Sequence, residues 1–152
     1  MSKPAHLDIV LRDWKRIHHQ TLRLMELAPD DKYDWKPHET SMTLGALLNH
    51  FPQAESGLIE AVMTGVFPRD FTNYETTHEL IAAFKDSHEK AVAKIKSIPD
   101  EAWDEQVSPF GPDRSFPRLD LLSINLEHEI HHRGQLYVYL RMLDCPVPEL
   151  FG

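Results

Sequence analysis

A chain of 152 residues with 16 basic against 24 acidic side chains, a formal net charge of −8 and a sequence pI of about 5.6 offers little to a nucleic-acid backbone or an anionic membrane surface. Its length suits one domain with its own core, residues 1–152, and its longest apolar runs fall short of the roughly 20 residues that cross a bilayer. Met1-Ser2-Lys3-Pro4-Ala5-His6 lacks the apolar stretch of a signal peptide, and Cys145 is the one cysteine, so the expectation is a cytoplasmic protein whose metal ligands, if any, are His, Asp or Glu.

From Leu7 to Met25, apolar residues recur at three- and four-residue steps (Leu7, Val10, Leu11, Trp14, Ile17, Leu22, Met25), the period of a one-sided helix. Pro29, Asp30 and Asp31 end it, and Tyr33-Asp34-Trp35-Lys36-Pro37 reads as an extended link across the end of a bundle. Thr43 is the expected N-cap of a second helix that carries Leu44, Leu47, Leu48, His50, Phe51, Ala54, Leu58, Val62 and Met63, and Gly65 closes it. Pro52 inside this stretch predicts a kink or a restart, since it removes a hydrogen bond at a cost of about 3 kcal/mol. Thr76-Thr77-His78-Glu79 matches a capping box and opens a third helix with Leu80, Phe84, His88, Ala91 and Ile95 on one stripe, stopped by Pro99. The polar, proline-containing loop from Pro99 to Pro117 is long enough to suggest a cover over a site. A fourth helix is expected from about Arg118 to Leu143. With no sustained period-two alternation anywhere, the fold class is all-α, four helices packed as a bundle.

The fourth helix contains His128-Glu129-Ile130-His131-His132-Arg133-Gly134-Gln135-Leu136. Histidines four apart lie on one helix face with Cβ atoms about 5–6 Å apart, so His128 and His132 can aim ring nitrogens at one point. Their face also carries Leu121, Asn125, Gln135, Tyr139 and Leu143, which turns the pair inward. A buried histidine satisfied by a neighbour is the competing reading. Two side by side lose solvation unless each finds a partner, whereas one divalent ion uses both lone pairs and leaves each N–H for an outer acceptor. The third ligand is expected from the second helix, where His50 shares its side with Leu47, Ala54 and Ala61, and His88 is the competitor, read as structural. His6, His18, His19, His38 and His78 read as surface or cap residues. Three imidazoles on a divalent ion leave one or two positions open, the mark of a catalytic site.

His128, Glu129 and His132 also satisfy the His-Glu-x-x-His pattern of zinc proteases, in which the glutamate is a general base. The longer protease signature would need Gly at 135 and His at 138, where this chain has Gln135 and Val138, and no strand is available to hold an extended peptide. Glu129 lies about 100° round the helix from His128, facing solvent, a neighbouring helix or a second subunit. Leu122, Leu126, Ile130, Leu136 and Leu140 widen the apolar arc of this helix, and some of them are expected to face another subunit. Cys145 lies beyond the helix and reads as a small buried hydrophobe.

Leu44-Gly45-Ala46-Leu47-Leu48-Asn49-His50 resembles the LxxLLxH segment of the DinB/YfiT-like family, and residues 128–136 with Tyr139-Leu140-Arg141 resemble its C-terminal signature. Trp35-Lys36-Pro37 and the ending Val147-Pro148-Glu149-Leu150-Phe151-Gly152 extend the resemblance over most of the chain. It implies a four-helix bundle of up-down-down-up order, often a homodimer, and its three metal-binding histidines fall on His50, His128 and His132. It further implies a metal-dependent enzyme, in some members a transferase or isomerase that uses a low-molecular-weight thiol; an open divalent ion on three imidazoles, with zinc or nickel expected, then leads to the expectation of a transferase or hydrolase acting on a small electrophilic substrate. A non-catalytic metal-binding bundle, sensor or scaffold, is the rival. Two departures from the family pattern stand out: Pro52 in the second helix, and Asp144 where many members have a glycine after the fourth.

Overall fold

The computed structural model describes residues 6–151, so the N-terminal stretch read above for a leader lies outside the described residues. Four helices make up the body: α1 (Leu7–Met25), α2 (Leu44–Thr64), α3 (Thr77–Lys96) and α4 (Arg118–Met142). Their directions follow from two clusters of buried side chains at opposite ends of the bundle. One contains the end of α1 (Leu22, Met25), the start of α2 (Leu44, Leu47), the start of α3 (Leu80, Phe84) and the end of α4 (Leu136, Leu140). The other contains the start of α1 (Leu7, Trp14), the ends of α2 (Ile59, Val62) and α3 (Ala91, Ile95), and the start of α4 (Leu121, Leu122). The helices therefore run up, down, down, up.

The caps are local chemistry. Thr43 Oγ1 accepts from the Ala46 N–H at 3.1 Å, and Gly65 ends α2 in the left-handed region at φ 77°. Thr76 Oγ1 accepts from the Glu79 N–H at 3.3 Å and donates to the Glu79 carboxylate at 3.1 Å, so Glu79 reaches back to the hydroxyl rather than to the backbone. Pro52 lies inside a continuous α2, so the expected restart does not occur. After α4, Asp144 adopts φ 59°, the Asp144 N–H reaches Arg141 O at 3.1 Å and the Cys145 N–H reaches Leu140 O at 3.0 Å. That is a Schellman ending with aspartate in the place that favours glycine.

Because α2 and α3 run the same way, residues 66–76 must return the length of α2. A 21-residue helix is about 31 Å long, and eleven extended residues reach about 36 Å, so the segment has little slack. It is pinned as it climbs: Phe67 lies over Gly57, the Gln53 amide donates to Thr72 O and Asn73 Oδ1, and Asn49 exchanges hydrogen bonds with the backbone of Tyr74. Gly57 has its reason here, since a Cβ there would sit 2.5 Å from Phe67 Cζ.

The loop between α3 and α4 does not cover the histidines. It buries Trp103 and Val107 in the cluster at the start of α1, and Arg118 donates to Val62 O and Met63 O there, about 18 Å along α2 from His50. Two short strands, β1 (Gln106–Val107) and β2 (Phe116–Pro117), pair antiparallel within it, with Val107 opposite Phe116. No helix of the described residues is long and apolar enough to cross a membrane.

Candidate metal centre

His50 from α2 and His128 and His132 from α4 meet where those two helices pack, with one ring nitrogen from each lying within 4.8 Å of the others. His50 Nε2 is 3.0 Å from His128 Nε2, and His132 Nε2 is 3.1 Å from it. The three residues that sequence spacing singled out are thus the three that the fold assembles, and His88 is elsewhere. His132 is buried while His50 and His128 are half-buried, so one side of the cluster faces solvent.

The donor set fits a cation better than it fits hydrogen bonding. A neutral ring nitrogen has one in-plane site, either an N–H or a lone pair. A single proton on His128 Nε2 would have to be shared between two acceptors. The tautomer of His132 is set from outside: Gln135 Oε1 lies 2.7 Å from His132 Nδ1, accepts its proton, and leaves Nε2 as a lone pair aimed at the cluster. Imidazole nitrogens bind a small divalent ion at about 2.0–2.1 Å, which sets them about 2.9 Å apart at right angles and about 3.4 Å apart in a tetrahedron. The observed 3.0 and 3.1 Å fall between these limits.

All three rings are held neutral at pH 7. Burial is the largest cause for each, and mutual repulsion adds to it. His128 is pushed down to about 4 by burial, then by His132, His50 and His131. His50 is lowered by burial and His132, and His132 by burial and His131 against the opposing hydrogen bond from Gln135. Neutral imidazoles are the ligating form.

Glu129 does not join them. Its carboxylate is buried against α1, accepting from Thr21 Oγ1 at 2.7 Å, and burial with the nearby Glu55 pushes it up to about 8. A carboxyl that faces α1 is not a general base for the histidine cluster, which removes the protease reading. Tyr139 is also committed, its hydroxyl donating to Met42 O at 2.9 Å with the ring edge-on to Trp35. Asn125 is buried with Nδ2 unpartnered, and Gln135 is the residue of this face whose side chain contacts a histidine of the cluster. Cys145, half-buried, has Sγ 3.6 Å from Leu27 O, and burial raises its thiol pKa.

A second polar cluster was not legible beforehand. His18, expected on the surface, is 7% exposed and stacks on His88 with ring centroids 3.7 Å apart and planes 4° from parallel. His88 Nδ1 lies 3.0 Å from Glu55 Oε2, which also accepts from Trp14 Nε1 at 3.2 Å. The three could be grouped as metal ligands by distance. The in-plane lone pairs of stacked rings lie in two parallel planes, so they do not converge on one ion, and the cluster reads as a buried core in which His88 and Trp14 hydrogen-bond Glu55 while His18 Nδ1 has no hydrogen-bond partner among the described residues. The available signal was periodicity: His18 lies four residues from both Trp14 and Leu22, and Glu55 four from Phe51 and three from Leu58, all on the buried stripes.

Residues 13–136 match the DinB superfamily model. The uncharacterized protein YjoA of Bacillus subtilis strain 168 is 34% identical over 125 residues, 80% of each chain. The crystal structure of the DinB-like YjoA protein superposes with a TM-score of 0.76 at 28% identity over 93% of this chain and 96% of that one. A DinB-like protein from Bacillus cereus ATCC 10987 gives 0.81 at 18% identity, covering 94% and 96%. A mycothiol-dependent maleylpyruvate isomerase shares the fold more distantly, at 0.50 and 19% identity, covering 99% of this chain and 68% of that one.

Proposed function

From the premise that this chain belongs to the DinB superfamily, we propose that it is a metal-dependent enzyme in which His50, His128 and His132 hold one divalent ion and leave a position open to a small substrate. The observation that carries the reading is the convergence of three neutral ring nitrogens on one point, with His132 locked by Gln135 in the ligating tautomer. Zinc and nickel both suit three imidazoles, and cellular supply decides between them. When bound, such an ion supplies a full double positive charge that lowers the pKa of a coordinated water or thiol toward neutrality.

The protein's own groups do the rest. Phe51, 6.3 Å from the His132 ring, closes the core side of the cluster with a wall that offers no competing ligand. The half-buried edges of His50 and His128 leave the solvent side for substrate entry. The reaction proposed is transfer to, or hydrolysis of, a small electrophile. A low-molecular-weight thiol is a reasonable co-substrate because a thiol is more acidic than water to begin with, and the fold is shared with a thiol-dependent isomerase.

The test is turnover of a panel of small electrophiles, such as activated esters, alkyl halides and unsaturated acids, by zinc- or nickel-loaded protein with and without an added thiol. The expected result is metal-dependent turnover of at least one class, abolished in His50→Ala. Stoichiometric metal with no turnover across the panel would favour the non-catalytic metal-binding bundle.

A further inference from the structure

Arg133 on α4 is a buried cation without a counter-charge. It is 7% exposed and belongs to no ion pair among the described residues. A guanidinium carries five N–H donors, and the hydrogen bond Arg133 makes among the described residues is from Nη1 to the neutral Gln20 Oε1. Gln20 is fixed in turn to the C-terminal tail, its Nε2 donating to Leu150 O at 2.8 Å. Glu129, one turn back on α4, is engaged elsewhere, accepting from Thr21 Oγ1 at 2.7 Å. A charge removed from water costs free energy unless an opposite charge and hydrogen bonds offset it, and here the fold supplies one neutral acceptor.

Arg133 also lines a groove of about 610 Å³ between α4 and the tail, together with Ile130, Gly134, Tyr137, Leu150 and Phe151. That volume is in the range of small-molecule sites. Phe151, 83% exposed, offers an apolar ring on its rim. The floor is open at Gly134, where a Cβ would meet nothing within 4 Å. Packing within this chain therefore does not call for glycine there, although glycine weakens a helix interior relative to alanine. The Tyr137 hydroxyl accepts from Arg141 Nη2 at 3.2 Å, which leaves its own proton to donate. An apolar channel with a buried guanidinium on its wall is complementary to a molecule that is anionic at one end and apolar along its length.

We propose that this groove binds an amphiphilic monoanion, a small carboxylate whose head group meets the Arg133 guanidinium and whose apolar body lies over Gly134 between Ile130, Leu150 and Phe151. A planar carboxylate matches the guanidinium fork, and Glu149, exposed on the same lining, disfavours a second negative charge such as that of a phosphate monoester. At about 100° per residue, His128 and His132 lie about 120° and 160° round the helix from Gly134, so the groove is on another side of α4 from the histidine cluster. The site is therefore separate from the metal centre, and its ligand need not be the substrate.

The experiment is an NMR titration of the full chain, chelator-treated and zinc-loaded in parallel, with octanoate, octanol and octyl phosphate. Octanoate is expected to shift the backbone amides of residues 130–137 and 149–151 saturably, with a dissociation constant of about 5 mM or tighter in both metal states. Octanol should bind about tenfold more weakly, as should octanoate to Arg133→Gln. Gly134→Leu fills the floor from an exposed position and should abolish binding with helical circular dichroism unchanged, which decides the matter even if Arg133→Gln does not fold. Octyl phosphate should bind more weakly than octanoate and gain about threefold in Glu149→Gln. No saturable shift, equal binding of octanol, or binding retained in Gly134→Leu overturns the site. Binding seen only with zinc would put the carboxylate on the ion, and a dissociation constant that rises with chain concentration would put a second copy in the groove; either result also overturns it.

Discussion

Replacing Gln135 by leucine removes the one acceptor that holds His132 in its ligating tautomer. The 2.7 Å contact between Gln135 Oε1 and His132 Nδ1 is a short, well-formed hydrogen bond, and outer partners of this kind typically contribute 10–100-fold to metal affinity, about 1.4–2.7 kcal/mol. Gln135 is itself exposed, so the change should move folding stability by no more than about 0.5 kcal/mol. Gln135→Glu supplies an anionic acceptor in the same place, raises the basicity of Nε2, and should tighten binding instead. Chelator competition with zinc reads both directions on one scale. If Gln135→Leu binds zinc within a factor of two of wild type while remaining folded, the tautomer argument is wrong and the Gln135 contact is incidental.

Three further outcomes follow from the packing and the charges. The His18 pKa is lowered to about 3 by burial first and then by His88, so its folded value lies below its unfolded value near 6.5. The stability it contributes is present above about pH 6.5 and lost as pH falls toward about 3, so metal-free protein should lose melting temperature across that window, and His18→Phe should flatten the slope. Gly57→Ala places a Cβ 2.5 Å from Phe67 Cζ and should cost about 1–3 kcal/mol in urea unfolding, with most of it recovered in the double variant with Phe67→Leu. Asp144→Gly relieves a left-handed residue at φ 59° and should raise stability by about 0.5–1 kcal/mol, a few degrees in melting temperature; no change would mean that the Schellman ending is unstrained with aspartate.

Helix ends were legible because single residues decide them: the Thr43 hydroxyl, the left-handed Gly65 and the Thr76 hydroxyl each satisfy or end a local run of backbone groups. The metal-capable trio was legible because ligand spacing on one helix face is a local property and His50 sat on an apolar side of its own helix. What was not legible is set by partners distant in sequence. The return of residues 66–76 has no periodicity of its own and is placed by Gly57, Gln53 and Asn49 on α2. Glu129 could have faced solvent, a helix or a subunit, and only the position of Thr21 on α1 decides it. Leu122, Leu136 and Leu140, expected among residues available to a second subunit, are fully buried in the bundle, because α4 is enclosed by both α1 and α2. The long α3–α4 loop looked like a cover for the site, but Trp103 and Val107 gave it a core to join at the far end.

We propose that His50, His128 and His132 hold one ion. Metal content of tag-free protein by inductively coupled plasma mass spectrometry, compared between wild type and His128→Ala/His132→Ala with folding checked by circular dichroism, addresses it most directly. About one zinc or nickel ion per wild-type chain and none in the folded variant is the expected result. No bound metal in wild type after incubation with zinc and nickel, or metal retained by the double variant, would contradict it.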